Sequence, residues 1–233
     1  MEINLFLWPM LVPMLLPLLY SMKYKKEALR EIATILLVMI LIIVLYWPLL
    51  TSGFFSTYTY IVVKTLLFVL LPIIAFTVVK RDTPLVRLTD YGIKKEGTKK
   101  SLIWFIVFLP LMLATTFLLQ YFNGQYFPGI EWNADVIAGS ISFFEAFTEE
   151  FFFRGVLFIL LSQKIPIKIA YVTSLTSFIL MHPQNFDTLF ILGTILQGVL
   201  TLEIARKSQN ILGAWFLHGS NRFFQLAILP FIM

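Results

Sequence analysis

The chain has 233 residues, 59% hydrophobic and 13% charged, with a mean hydropathy of +0.86; an average soluble domain carries about 25% charged residues, so water is not the solvent for most of this surface. The absence of cysteine excludes disulfides, thiol catalysis and thiolate metal sites. The net charge of +5 does not point to nucleic acid, because the basic residues fall between apolar runs and not along one solvated face.

A membrane helix needs about 20 mostly apolar residues. Six runs of that kind and two shorter ones are present, at 3–21, 32–50, 58–79, 101–120, 136–161, 169–182, 188–205 and 211–232. The first contains Pro9, Pro13 and Pro17, lacks a basic start and has its charges behind it, which reads as a retained helix and not a cleaved signal. Between the third and fourth runs lies the longest polar stretch, 80–100, whose basic excess suits anionic headgroups and whose main expected role is topological. The sixth run is the shortest. Lysine and arginine near span ends are retained on the cytoplasmic side. All but three of the 18 follow the first, third, fifth and seventh runs, whereas the intervening loops hold Glu131, Asp135 and Asp187 and no base. The expected fold is therefore all-α: a polytopic integral membrane helical bundle of about eight transmembrane helices, forming one membrane domain over 1–233, with both termini non-cytoplasmic. Trp8, Trp47 and Trp132 read as interface anchors, and the 24 phenylalanines as packing and lipid-facing surface. A Phe- and Ile-rich, Cys-free chain suits a bacterial plasma membrane.

Ionisable groups inside a span cost a few kcal/mol or more at the bilayer centre unless paired or hydrated. Lys64, Glu145, Glu149, Glu150, Arg154, His182, Glu203, His218 and Arg222 all fall within runs. Lys64 and Glu203 lie near run ends, where they are expected to snorkel and take no part in a site. Glu150 and Arg154 stand four apart on one helix face in acid-before-base order, a pair that neutralises itself. Glu149 points about 100° away and needs another partner. Glu145 lies one turn before it, and carboxylates crowded in a low dielectric suit one of them to general-base work. Counted from the cytoplasmic loops, Glu149 and His182 are level at roughly 20 Å, with His218 lower at roughly 12 Å and Asn221 one turn above it. A convergent site of Glu149, His182, His218 and Asn221 is thus geometrically open.

The ordered set Glu149-Glu150-x-x-x-Arg154, Phe178-x-x-x-His182 and a late His218 followed by Asn221 resembles the CAAX-protease and bacteriocin-processing (CPBP, or Abi) family of intramembrane proteases. The resemblance covers about residues 101–229, leaving 1–100 as N-terminal helices and the basic loop. It implies that Glu149 and His182 activate water, that His218 and Asn221 stabilise an oxyanion, and that Glu150 with Arg154 braces the site. Family members are described both as metalloproteases and as glutamate-dependent, metal-free enzymes. The pattern usually has Asn four residues after the last His, where this chain has Arg222; Asn221, three after, shares the same general helix face. Arg222 then either stabilises negative charge itself or pairs with Glu145.

The leading expectation is an intramembrane endopeptidase acting, within the lipid bilayer, on a membrane-anchored peptide, lipoprotein or precursor protein. No cofactor is expected; the metal-dependent alternative is Zn²⁺ held by His182, His218 and Glu149, although no His-Glu-x-x-His string presets it. Acyl transfer to a lipoprotein or peptide amine passes through a similar tetrahedral species, and a non-catalytic peptide-binding scaffold is the third reading. Each residue also has a plain structural role to set beside these: an ion pair for Glu150 and Arg154, a protonated hydrogen-bonding group for Glu149, a helix-end bond near Pro183 for His182, and an interhelical bond for His218.

Overall fold

A computed structural model describes residues 5–51, 59–79, 87–126, 135–186 and 188–232; Lys80, Arg81, Glu131, Trp132 and Asp187 lie outside the described residues. Eight helical segments follow one another, with no strand among the described residues. Helix α1 joins Leu5–Met14 to Leu15–Tyr24, α2 is Leu29–Thr51, and α3 joins Thr59–Lys64, Thr65–Leu70 and Leu71–Val79. Helix α4 is Thr98–Tyr126, α5 joins Val136–Glu150 to Phe151–Leu160, and α6 is Ile167–Leu180. Helix α7 is Phe190–Ser208, and α8 joins Leu212–Phe223, Phe224–Ile228 and Leu229–Ile232. Three helices are long and apolar enough to cross a membrane by themselves, over Lys26–Thr51, Thr59–Val79 and Thr98–Phe122, and Ile167–Leu180 is a shorter apolar helix.

Proline shapes the start. Leu5–Met14 is a 3-10 helix containing Pro9 and Pro13, since a proline ring removes the N–H that the helix ladder needs. The carbonyl of Met10 would find its 3-10 partner at residue 13, a proline; Ser177 Oγ of α6 donates to it instead at 2.9 Å. The carbonyl of Pro13 would pair in α register with residue 17, again a proline, and takes a bond from Thr173 Oγ1 at 3.4 Å. The prolines thus tie α1 to α6 by leaving carbonyls that only a neighbour's hydroxyls can satisfy.

Helix α5 is the centre of the bundle. Its second half, Phe151–Leu160, is buried throughout, touching α3, α6, α7 and the turn Leu88–Tyr91, while its first half packs on α8. A helix that is apolar on every side belongs inside a protein, and this one carries Glu145, Glu149, Glu150 and Arg154 into the interior with it. Helix α4 is the opposite: Ile103, Ile106, Val107 and Leu111 are all exposed, as a lipid-facing helix requires.

The polar stretch before α4 does more than set topology. Tyr91 is fully buried against Phe151, and its backbone carbonyl lies 3.0 Å from where a Cβ on Gly155 would stand. Burial pushes its phenol above the ordinary tyrosine value. Asn210, between α7 and α8, donates to the carbonyls of Lys94 and Glu96 and accepts from Leu212 N–H. Gly97, at φ 79°, permits this, since a Cβ there would stand 2.1 Å from the carbonyl oxygen of Ser208. The knot fixes where α4 and α8 begin.

Candidate active site

Three helices widen into π-turns next to the residues of interest: Thr65–Leu70 directly after Lys64, Phe151–Leu160 directly after Glu150, and Phe224–Ile228 two residues after Arg222. Such segments are frequent at functional sites. Nearby lies a cavity of about 600 Å³ whose wall includes Lys64, Glu145, Glu149, His182, His218 and Asn221.

Glu149 faces two partners. Its Oε1 accepts from Lys64 Nζ, and Oε2 lies 3.6 Å from His182 Nε2 and accepts no hydrogen bond. His182 is aimed by the end of α6. Its own N–H bonds to the carbonyl of Ile179, a 3-10 tightening that frees the Phe178 carbonyl for the His182 ring. Nδ1 sits 2.9 Å from that carbonyl. A carbonyl only accepts, so Nδ1 carries the hydrogen, and in the neutral ring Nε2 is an acceptor. Two acceptors, Glu149 Oε2 and His182 Nε2, therefore face each other across a gap suited to a molecule with two hydrogens to donate.

The neighbouring carboxylate has a partner beside each oxygen, a hydrogen bond on one and an ion pair without hydrogen-bond geometry on the other. Glu150 Oε2 lies 3.0 Å from Arg154 Nε, and Glu150 Oε1 takes Nδ1 of His218 at 2.9 Å. Glu150 and Arg154 are wholly buried; the guanidinium also donates to the Gly198 carbonyl at 3.2 Å and to Thr201 Oγ1, and lies over the Phe178 ring at 4.3 Å. The Phe178 ring further touches those of His182 and His218, at 4.8 and 6.1 Å between centroids. Phe178 thus serves the site twice, by its carbonyl and by its face.

Asn221 is held by both ends of its amide. Oδ1 accepts from Thr116 Oγ1 at 2.6 Å, and Nδ2 donates to Gln197 Oε1 at 2.8 Å, leaving one N–H. Because α8 packs against α4, α5 and α7, it brings His218 and Asn221 to the cavity together.

Three expectations need correction. Lys64 does not snorkel: it is 3% exposed and bridges Glu145 Oε1 and Glu149 Oε1, because two carboxylates in the interior attract the nearest ammonium more strongly than a distant membrane surface does. Glu145 and Glu149 accordingly do not face each other bare. Arg222 does not pair with Glu145, which Lys64 already holds; its guanidinium bonds to Gln225 Oε1 at 3.2 Å and it lines the cavity. His218 reaches the glutamates through Nδ1, which lies 2.9 Å from Glu150 Oε1. Glu203 does remain peripheral, paired with Arg206 at 2.8 Å. The proposed Zn²⁺ ligands are divided between separate partners, Glu149 with Lys64 and His218 with Glu150, and no group of three His or acidic side chains among the described residues is arranged to hold a metal.

Sequence reasoning missed Lys64, Thr116 and Gln197. For Lys64 a signal existed: Glu145 and Glu149, one turn apart on the same face, were an acidic pair short of a cation.

The fold and cavity define a class, a helical membrane protein with a buried carboxylate, imidazole and amide site. Residues 131–224, the segment carrying every motif residue named above, match the family model described as type II CAAX prenyl endopeptidase Rce1-like, a similarity that supports a membrane protease in general. No curated protein and no solved structure matches.

Proposed function

We propose that this protein hydrolyses a peptide bond of a membrane-anchored peptide, lipoprotein or precursor protein, with Glu149 and His182 activating the water. The observation that carries this reading is the pair of facing acceptors, Glu149 Oε2 and His182 Nε2, 3.6 Å apart on the cavity wall. Water donates one hydrogen to each, which turns a lone pair of its oxygen toward the cavity. As that oxygen attacks the carbonyl carbon, one O–H bond breaks and its proton passes to Glu149, which later delivers it to the leaving amide nitrogen. Charge builds on the former carbonyl oxygen, where the free N–H of Asn221 supplies a donor, with the His218 ring beside it on the cavity wall. Glu150, bonded to Nδ1 of His218, orients that ring. The apolar side of the cavity, with Tyr46, Trp47, Leu50, Tyr60 and Phe68, suits the lipid anchor of such a substrate.

We further infer eight membrane crossings with both termini outside the cytoplasm, supported by eight helical segments and by basic residues on alternate loops, in a bacterial plasma membrane. A metal-free, glutamate-dependent reaction is the form proposed, because Lys64 already occupies one oxygen of the base.

The test is mass spectrometry of internally quenched lipopeptides incubated with the purified protein in liposomes. Wild-type protein should release a shorter peptide, and Glu149→Gln should lower turnover by about a thousandfold, within the range of a lost general base. Its fold should persist, because Lys64 and Glu145 remain a balanced pair. Undiminished cleavage by Glu149→Gln, or an acyl mass added in place of cleavage, would overturn the hydrolytic reading.

A further inference from the structure

On the other side of Glu149 lies a cluster with one member, Lys64, that the family match does not reach. Lys64 comes from α3, outside residues 131–224, and its ammonium is shared between Glu145 and Glu149, with the Tyr60 ring face 4.7 Å away. Three ionisable side chains, each under a tenth exposed, therefore sit together on the cavity wall. One ammonium between two carboxylates neutralises only one of them. With His182 neutral, the triad holds a single surplus negative charge in a low dielectric, and its fully buried carboxylate oxygen without a donor is Glu149 Oε2.

We propose that Lys64 and Glu145 are positioning residues for the reaction: Lys64 clamps Oε1 of Glu149 so that Oε2 faces His182, and Glu145 supplies the surplus charge that proton uptake by Glu149 discharges. The inference rests on Glu149 being the base. When the water's proton arrives on Glu149, Lys64 and Glu145 remain as a neutral pair, and the surplus negative charge has moved to the oxyanion of the tetrahedral species. Without Glu145, Lys64 would neutralise Glu149 completely and oppose the same step.

The prediction is that activity follows the net charge of the triad, which is −1 in the wild type, 0 in Glu145→Gln, −2 in Lys64→Met and −1 again in the double variant. In the liposome assay with internally quenched lipopeptides, Glu145→Gln should lose roughly tenfold in kcat with KM within about twofold, the mark of an interaction made in the transition state. Lys64→Met should lose more. Lys64→Arg should recover part of that loss. The double variant Lys64→Met with Glu145→Gln should exceed Lys64→Met alone by roughly tenfold, a coupling that two independent structural losses would not show. Full kcat in Glu145→Gln, or a double variant at or below the weaker single, overturns the proposal. If Lys64→Met does not fold, Glu145→Gln and Lys64→Arg decide, since both keep a balanced or cationic partner. An inactive Glu149→Gln beside a fully active Glu145→Gln removes this inference alone, whereas a fully active Glu149→Gln removes the hydrolytic reading with it.

Discussion

Glu149 and Glu150 are adjacent in sequence, share a helix and are both buried, yet their surroundings differ in kind. Glu150 is closed off: Arg154 takes one oxygen and His218 the other, and the guanidinium is itself held by Gly198 and Thr201. Glu149 is left half open, with Lys64 on one oxygen and the other turned to the cavity and His182. A single residue step of about 100° sends one carboxylate to a buried ion pair and the other to a cavity wall. Burial alone therefore does not set the two apart; the cavity that Glu149 faces does.

This contrast can be broken from either side. The largest effect on stability is expected for Arg154→Met, which strands the Glu150 carboxylate and should cost about 3–5 kcal/mol, read as a fall in the thermal midpoint of the purified protein. The same change should be milder in a Glu150→Gln background, where no buried anion remains, and equal losses in both backgrounds would contradict the brace. Next, Asn221→Ala should lower kcat by roughly a hundredfold, as loss of an oxyanion donor does, with stability lower by about 1–3 kcal/mol because Thr116 and Gln197 lose their buried partner; a change confined to KM would remove Asn221 from the transition state. A smaller effect is expected for Thr116→Val, which leaves the Asn221 carboxamide oxygen without its donor and should reduce kcat by about tenfold or less, with stability lower by about 1 kcal/mol. Smallest is Phe178→Leu, which keeps the carbonyl that aims His182 but removes the ring under Arg154. A loss near 1 kcal/mol in stability, with turnover reduced only a few-fold, would separate the two services of that residue.

Much of the architecture was legible because the bilayer imposes it. Runs such as 32–50 and 101–120 announced their helices through length and hydropathy, and α2 and α4 are the long apolar helices that result. The pairing of Glu150 with Arg154 was legible too, being a local i, i+4 relation within one helix. Lys64 was not, since its partner lies 81 and 85 residues further along the chain on α5, and position near a run end is a poor guide when acidic groups wait in the interior. Arg222 is the complementary case: sequence leaves a pairing with Glu145 open, and Lys64, brought in from α3, closes it.

The amino-acid sequence by itself determined the helical, membrane-borne character of this protein and the order of its acidic, imidazole and amide groups, because hydropathy and helical spacing act over short stretches of chain. Only the tertiary structure decided which charge meets which. Ion pairs in a low dielectric are chosen by proximity across helices, and helix tilt, π-turns and the inward knot at Asn210 set that proximity with an accuracy that residue counting does not reach.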